Sequence, residues 1–182
     1  MEVGYGQLGW LGELISWGVR ATDLHGIEVD ATRAQAAQES LPSADLLVGN
    51  AIQMPWENES FQLVVTSTVL TSIRDEHVQQ QVATEIMRVL APGGALLWWD
   101  FAVNSPRNPS VRGVSRRHLR RLFPQLEGTV RSVTLAPPIA RIVVPRSWLL
   151  ALLLEGVPLL RTHLLAVLQK PANQSAHRRA TS

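Results

Sequence analysis

Glu2-Val3-Gly4-Tyr5-Gly6 is the stretch that decides the fold of this chain of 182 residues. Its first residues predict the end of a strand, and residues 9–18 predict a helix, because Leu11, Leu14 and Ile15 recur at helical spacing. The two glycines let the backbone approach a ligand closely, and the helix behind them begins with unpaired N–H groups. The stretch therefore predicts a strand–turn–helix unit with a ligand site at the turn, although a G-x-G turn also occurs as a simple tight connection.

Further along the chain, short apolar runs alternate with helical patterns, which predicts an α/β sandwich on a mostly parallel sheet. The predicted strands after the first are 25–29, 44–48, 61–67, 95–101, 130–135 and 162–168. The predicted helices after the first are 30–39, 75–90, 115–123 and 147–155, and Pro92-Gly93-Gly94 is the expected turn before the fifth strand. We expect one domain over residues 1–171 and a small, polar, disordered tail over residues 172–182.

The composition excludes several classes of protein. The chain has 46% hydrophobic and 18% charged residues, which excludes disorder over most of its length, and it has no cysteine, which excludes a disulfide framework and a thiolate metal site. The net charge of +2 comes from Arg178 and Arg179, because residues 1–171 hold equal numbers of acids and bases. Neither a signal peptide nor an apolar run long enough to span a membrane is present. We therefore predict a cytoplasmic protein and no nucleic-acid partner.

The acidic and amide residues near the Gly-rich turn narrow the kind of ligand. Glu2 stands before the first glycine, where it would repel a pyrophosphate but suit an ammonium group. Glu28 follows the second strand, where a carboxylate can accept both hydroxyls of a ribose. Asn50, after the third strand, has an amide suited to an adenine edge, and it is equally typical of a simple turn.

Together these motifs resemble those of class I S-adenosylmethionine-dependent methyltransferases, and in particular the bacterial branch called methyltransferase type 11. The resemblance covers residues 1–101 and rests on five motifs in order: Glu2-Val3-Gly4-Tyr5-Gly6, Gly26-Ile27-Glu28, Gly49-Asn50-Ala51, Phe61-Gln62-Leu63-Val64-Val65 and Leu90-Ala91-Pro92-Gly93-Gly94. It implies a Rossmann-like three-layer sandwich with a seven-stranded sheet of order 3-2-1-4-5-7-6, the last strand antiparallel.

The resemblance also implies S-adenosylmethionine as the cofactor and assigns residues to it. The residues implied to bind the cofactor are Glu2, Gly4, Tyr5, Gly6, Glu28, Val29, Asn50, Ala51, Ile52 and Ser67, with Thr68 facing the methyl acceptor. The chain departs from the family pattern in three respects. Leu8 stands where a third glycine is usual, Asn50 replaces a commoner aspartate, and no helix precedes the first strand, so that we expect the first strand and an upstream helix to be truncated.

The family has no universal general base, so catalytic candidates come from position alone. Asp100 ends the fifth strand, at the sheet edge where sites of such folds lie, although a loop or helix-cap role suits it better. His118 is a second candidate, but its helical position favours a solvated surface. We predict no metal ligands.

An arginine-rich segment and an apolar segment follow the resembling region. The cations Arg107, Arg112, Arg116, Arg117, Arg120 and Arg121 occur without an acid between them. They indicate either contact with an anionic or glycan-linked acceptor, for which Arg107 and Arg112 are the candidates, or the exposed face of an amphipathic helix. The apolar stretch 139–168 could dock on a membrane surface, but we expect it to complete the core, as we expect for Trp98-Trp99.

The sequence thus predicts a methyltransferase that transfers a methyl group from S-adenosylmethionine to the oxygen or nitrogen of a small molecule. Two alternatives stay open. One is a degenerate, non-catalytic cofactor-binding or scaffold protein of the same fold, and the other is a nicotinamide-dependent oxidoreductase. The sequence identifies neither the acceptor nor the oligomeric state.

Overall fold

The computed structural model describes residues 1–104 and 111–172 and contains one seven-stranded sheet. The strands are β1 (Glu2–Val3), β2 (His25–Glu28), β3 (Asp45–Val48), β4 (Phe61–Ser67), β5 (Leu90–Phe101), β6 (Glu127–Leu135) and β7 (Arg161–Gln169). The helices are α1 (Gly9–Ser16), α2 (Ala31–Ser40), α3 (Glu76–Val89), α4 (Arg116–Leu122), α5 (Pro137–Val143) and α6 (Trp148–Glu155).

The strand order is β3-β2-β1-β4-β5-β7-β6, which confirms the order predicted from the family resemblance. Strands β1 to β5 are parallel to one another, and β7 runs antiparallel to both β5 and β6. Because β6 is antiparallel to β7, it has the same direction as β1 to β5. The carboxyl ends of six strands therefore lie at one edge of the sheet.

Two apolar clusters cover opposite faces of the sheet, as expected for a three-layer sandwich. Ile27 of β2 belongs to the larger cluster, which contains the inward faces of α3 and α4 and the buried Trp98 of β5. Its neighbour Gly26 lies against Tyr5 of the smaller cluster, which contains the inward faces of α1 and α2. This alternation is what a pleated strand covered by helices on both sides requires.

Two elements differ from the sequence prediction. Strand β5 begins at Leu90, directly after α3, so Pro92-Gly93-Gly94 lies within the strand and not in a separate turn. The register between β4 and β5 shifts at this point, since Phe61 is opposite Leu90 and Leu63 opposite Ala95, and Gly93 has a φ of +77°. The segment is a bulge. Helix α5, which begins with two prolines, was not predicted.

Only part of the apolar stretch 139–168 completes the core as we expected, since Leu164, Ala166 and Leu168 of β7 belong to the larger cluster. Strand β7 is largely buried, but within α6 only Ala151 is buried, and Trp148, Leu149 and Leu153 are exposed. No helix in the described part of the chain has the length and apolar character needed to cross a membrane. The predicted tail, from residue 173 onward, lies outside the described residues.

Candidate functional site

The Gly-rich turn lies where the central strand β1 ends, at the carboxyl edge of the sheet. Strand β1 pairs with β2 on one side and β4 on the other. Gly4, Gly6 and Gly9 all have φ between +48° and +70°, a region that glycine adopts at little cost. A Cβ on Gly4 would lie 2.4 Å from Val69 Cγ2, whereas one on Gly6 would meet no atom within 4 Å. Gly4 thus permits close packing beneath the turn, and Gly6 faces open space.

Glu2 projects from β1 to the beginning of α1. Its Oε2 accepts hydrogen bonds from Trp10 N at 2.8 Å and Leu11 N at 3.1 Å, so the carboxylate satisfies two N–H groups of the first helical turn. Its Oε1 is buried without a hydrogen-bond partner among the described residues. Burial raises the pKa of Glu2 to about 7, against the lowering effect of the two backbone hydrogen bonds.

Glu28, the last residue of β2, is tied to the same turn. Its Oε2 accepts a hydrogen bond from Gly6 N at 2.9 Å, and its Oε1 accepts one from Asp30 N at 3.0 Å. The side chain is buried and fixed between the turn and the beginning of α2. Since each carboxylate oxygen has about two acceptor positions, both oxygens keep capacity for a further donor.

A cleft of about 990 Å³ opens beside the turn. Its lining includes the turn backbone from Gly4 to Gly9, the side chain of Glu2, and the ends of β4 at Ser67 and Thr68. Trp10 and Trp17 also line the cleft, with ring centroids 6.3 Å apart. Neither tryptophan was predicted as a site residue. Their spacing of seven residues, which places both on one side of the predicted helix 9–18, was the signal available for finding them.

The Tyr5 ring does not line the cleft as a free side chain. It is buried in the smaller core cluster against Gly26, and its hydroxyl donates to Leu47 O at 3.2 Å. Burial raises the pKa of Tyr5 to about 12. Tyr5 therefore supports the turn from below, and only its backbone belongs to the ligand-facing surface.

The residues assigned to the adenine end lie after β2 and β3. Val29 and Asn50 are exposed, while Ala51 and Ile52 are half-buried against the larger core cluster. Asn50 Oδ1 accepts a hydrogen bond from Ile52 N at 3.1 Å, so the side chain forms the local turn that was the alternative interpretation. This geometry leaves the Asn50 side chain at the surface, beside the end of β3.

Ser67 and Thr68 follow the same edge at the end of β4. Thr68 has a φ of +56°, an uncommon conformation for a residue with a branched side chain. Its N–H donates to Trp99 O at 2.9 Å, and its Oγ1 donates to Ser67 O. Backbone strain of this kind tends to occur at functional sites, where surrounding contacts maintain it.

Asp100 is fully buried at the end of β5 and supports the segment that follows Thr68. Thr71 donates to it through both its N–H and its Oγ1, and Phe101 N donates to Oδ1 at 2.9 Å. Burial raises the pKa of Asp100 to about 6, against the lowering effect of these hydrogen bonds. The carboxylate is thus occupied in fixing the backbone after β4, as a loop-capping residue would be.

His118 lies in a hydrogen-bonded network between α3 and α4 and not on a solvated surface. The amide nitrogen of buried Gln79 donates to Leu70 O and Ile73 O, which leaves its Oε1 for His118 Nε2 at 2.7 Å. His118 Nδ1 then accepts from Arg121 Nη2 at 2.9 Å. Burial lowers the pKa of His118. The network therefore assigns the neutral Nε2–H tautomer, with both ring nitrogens engaged.

Two arginines were predicted to bind the acceptor. Arg112 lies within the described residues, and Arg107 lies outside them. The Arg112 guanidinium pairs with Glu76 at 2.8 Å, and its backbone N–H donates to Thr71 O. Both side chains of the pair are about half-exposed. Arg112 thus lies at the beginning of α3, near the segment fixed by Asp100.

Comparison with known proteins identifies the class to which this fold and cleft belong. Residues 1–98 match the family described as Methyltransferase domain. A demethylmenaquinone methyltransferase of Listeria monocytogenes is 30% identical over 92 residues, which cover 50% of this chain and 37% of that protein. The chain therefore spans little more than a third of that relative's length.

Two solved structures show the same fold at low sequence identity. A SAM-dependent methyltransferase from Methanosarcina mazei is similar with a TM-score of 0.67 and 16% identity, covering 94% of this chain and 92% of that one. Geranyl diphosphate C-methyltransferase from Streptomyces coelicolor, solved with S-adenosyl-L-homocysteine, has a TM-score of 0.64 and 13% identity, covering 94% and 70%. The chain belongs to the Methyltransferase domain family, which confirms the resemblance read from its motifs.

Proposed function

We propose that this protein is an S-adenosylmethionine-dependent methyltransferase acting on a small molecule, with the cofactor bound in the cleft beside the Gly-rich turn. The observation that carries the proposal is Glu28, whose buried carboxylate is fixed by Gly6 N and Asp30 N where β2 ends. Membership of the methyltransferase family supports it, as does a cleft formed by the family's first motif.

The residues present fit such a cofactor. Glu2 Oε1 is a buried acceptor with no partner among the described residues, and its side chain lines the cleft, as a site for an ammonium group requires. At Gly6, an added side chain would enter the open space of the cleft. Leu8, which stands at the usual third glycine, lines the cleft without closing it.

Each part of the cofactor has a proposed set of contacts. Glu2, Gly4 and Gly6 hold the methionine part, Glu28 accepts the ribose hydroxyls, and Ser67 lies toward the sulfonium. The adenine contacts are assigned to Val29, Asn50, Ala51 and Ile52. When bound, S-adenosylmethionine supplies a methyl group on a positively charged sulfur, which an acceptor takes by in-line displacement. The chain contributes by holding the two reactants in line, a form of catalysis that depends on positioning.

Neither candidate for a general base has the geometry of one. Asp100 accepts hydrogen bonds from Thr71 and Phe101 while fully buried, and both ring nitrogens of His118 are engaged. A base is required only when the acceptor loses its proton during transfer. We therefore propose that Asp100 and His118 position the backbone around the acceptor side. Thr68 and Arg112 are the proposed acceptor contacts, with Arg107, outside the described residues, as a further candidate.

Calorimetric titration of the purified chain distinguishes this proposal from its alternatives. We expect saturable binding of S-adenosylmethionine and of S-adenosylhomocysteine, each raising the melting temperature, and no binding of NADH. Binding of NADH alone would support an oxidoreductase. Absence of heat and of any thermal shift with millimolar S-adenosylmethionine would contradict the proposal. Binding without methyl transfer to any acceptor in a cell extract would favour the degenerate cofactor-binding protein.

A further inference from the structure

The connection between β6 and β7 exposes an apolar surface that the fold does not cover. We call it the α5–α6 surface; its exposed members are Ile142, Trp148, Leu149, Leu153, Val157 and Leu159. Leu149 is 68% exposed and Leu159 is 94% exposed. Seven of the eight residues of α6 are apolar, and helices that are apolar all round are normally buried in a core or a membrane. An exposed apolar surface of this kind marks a site that binds another molecule or a membrane.

Specific hydrogen bonds hold the α5–α6 surface against the sheet. Thr134 N donates to Glu155 Oε1 at 3.2 Å, which fixes the end of α6 to β6. Arg161 reinforces the attachment, because its Nε donates to Glu155 O at 2.6 Å and its Nη1 to Ser132 O at 3.1 Å. These hydrogen bonds therefore fix the position of α6 on the sheet while its apolar side chains stay exposed.

The exposed charges from residue 128 to residue 155 are all positive, because the one acid there, Glu155, is half-buried and accepts a hydrogen bond from Thr134 N. From residue 128 to residue 154 the chain contains Arg131, Arg141 and Arg146 and no acid. All three arginines are exposed, and no carboxylate of the described residues lies within salt-bridge distance of them. The exposed Trp148 adds a side chain that favours the boundary between headgroups and acyl chains.

We propose that the α5–α6 surface docks on an anionic lipid bilayer. Its leucines and Trp148 enter the boundary between headgroups and acyl chains, and its arginines contact the anionic headgroups. The arginines favour a bilayer over a second copy of the chain as the molecule that covers this surface. In a symmetric dimer these exposed arginines would face their own copies, whereas a negatively charged bilayer complements them.

The proposed docking surface lies at the same sheet edge as the cofactor cleft. Helix α5 begins after the carboxyl end of β6, and β6 has the direction of β1 to β5. Three strand spacings, or about 14 Å, separate β6 from β4. Docking therefore brings the acceptor side of the cleft to the lipid surface, where a membrane-resident acceptor is within reach; this last step rests on the proposed function.

Vesicle cosedimentation of the purified chain tests the docking surface without requiring any methyl transfer. We expect binding to phosphatidylcholine vesicles that contain about 30 mol% phosphatidylglycerol, and binding at least about tenfold weaker to phosphatidylcholine alone. The double variant Leu149→Glu/Leu153→Glu should lose at least about tenfold in affinity for the anionic vesicles. Arg141→Glu/Arg146→Glu should weaken binding to anionic vesicles and leave binding to neutral ones unchanged.

The control is Val48→Glu, an equally drastic change at an exposed valine of β3, the opposite edge strand, and it should bind as the unmodified chain does. Thermal melts establish that each variant is folded. A folded unmodified chain that stays in the supernatant, or a double leucine variant that binds equally well, would overturn the proposal. Sedimentation velocity adds a third contrary outcome: a dimer that Leu149→Glu/Leu153→Glu converts to monomer, which would assign the surface to a second copy. None of these outcomes changes the result expected from calorimetry with S-adenosylmethionine. A failure of the docking proposal is therefore distinguishable from a failure of the proposed function.

Discussion

Two carboxylates at the ends of neighbouring strands organise the Gly-rich turn. Glu2 binds the first N–H groups of α1 through Oε2, and Glu28 binds Gly6 N through Oε2 and Asp30 N through Oε1. The turn is thus shaped from both sides by acceptors that strands β1 and β2 supply. Glycine is required at position 9 because a Cβ there would meet the Glu2 carboxylate, and at positions 4 and 6 the positive φ favours it.

Gly9 provides a test of this packing at a single position. Its φ is +48°, and an added Cβ would lie 2.4 Å from Glu2 Oε1. We expect Gly9→Ala to lower the free energy of unfolding by about 2 kcal/mol, because it combines backbone strain with displacement of the Glu2 carboxylate. Denaturant unfolding measures the loss.

Gly12→Ala is the matched control for Gly9→Ala, because Gly12 lies within the same helix. An added Cβ there would be 3.9 Å from its nearest neighbour, Leu8 Cβ. We expect this variant to be unchanged or more stable by up to about 1 kcal/mol, as helix propensity predicts. Equal stability of the two variants would contradict the packing described for Gly9.

The pKa of Asp100 predicts a pH dependence of stability. Its folded-state pKa of about 6 lies above the ordinary value of 3.8, so between these values the folded state binds more protons than the unfolded state. The contribution of Asp100 to the free energy of unfolding should therefore fall as pH rises from about 4 to about 6, by at most ~3 kcal/mol, and then level off.

Asp100→Asn measures this contribution, because the amide does not titrate. The free energy of unfolding of the unmodified chain, minus that of the variant, should decrease over the same interval of pH. Chemical denaturation at several pH values gives both quantities. A difference that stays constant from pH 4 to pH 7, or one that increases, would show that Asp100 does not have a raised pKa.

At the scale of elements, α3 and α4 are joined by a polar network inside the apolar layer. Gln79 is buried on α3, donates to Leu70 O at 2.7 Å and Ile73 O at 2.8 Å, and accepts from His118 of α4. The same network fixes the turn between β4 and α3. It therefore connects the segment after Thr68, which we propose faces the acceptor, to the helical layer that supports it.

Replacement of Gln79 tests the network. Gln79→Met preserves volume but leaves Ile73 O and the His118 Nε2–H without partners and leaves Leu70 O only its bond from Ile73 N, and we expect a loss of about 3 kcal/mol in the free energy of unfolding. Gln80→Met, at the exposed neighbouring position of α3, should change it by less than about 0.5 kcal/mol. Comparable losses in the two variants would exclude a structural role for the network.

Sequence patterns predicted the elements whose periodicity is local. Helix α3 was recognisable because Val82, Ile86 and Val89 share one face and Asp75 caps its beginning, and both features depend on neighbouring residues. The bulge of β5 was missed because Pro92-Gly93-Gly94 resembles a helix stop, and only pairing with β4 makes it part of a strand. Helix α5 was missed because proline breaks helices in general but is accepted in the first turn.

The same distinction applies to the site: some of its residues follow from local sequence spacing, and others depend on contacts between distant parts of the chain. The turn glycines and Glu28 could be predicted as site residues because their spacing follows the strand–turn–helix unit. The contact of Glu2 with the beginning of α1, and the burial of Asp100 against Thr71, depend on how the chain folds back on itself. Residues 71 and 100 are brought together only by the pairing of β4 with β5 and the turn after β4, which no local pattern specifies.

At the scale of the whole molecule, one edge of the sheet carries all the proposed chemistry. The parallel strands end there with Glu28, Ser67 and Asp100, and the α5–α6 surface extends the same edge beyond β5 and β7. Ligand sites of open α/β sheets occur at this edge because the connecting loops leave a crevice there. The cleft and the apolar surface are thus consequences of a single topology.

The central claim is that the cleft beside Glu28 binds S-adenosylmethionine, and the dissociation constant of a matched pair of glutamate variants tests it most directly. Glu28→Gln removes the charge held between Gly6 N and Asp30 N, while Glu39→Gln makes the same change at an exposed position of α2. By calorimetry, with folding of each variant checked by its melt, we predict that Glu28→Gln binds at least about tenfold more weakly and Glu39→Gln as tightly as the unmodified chain. A folded Glu28→Gln variant with unchanged affinity would contradict the assignment of the site.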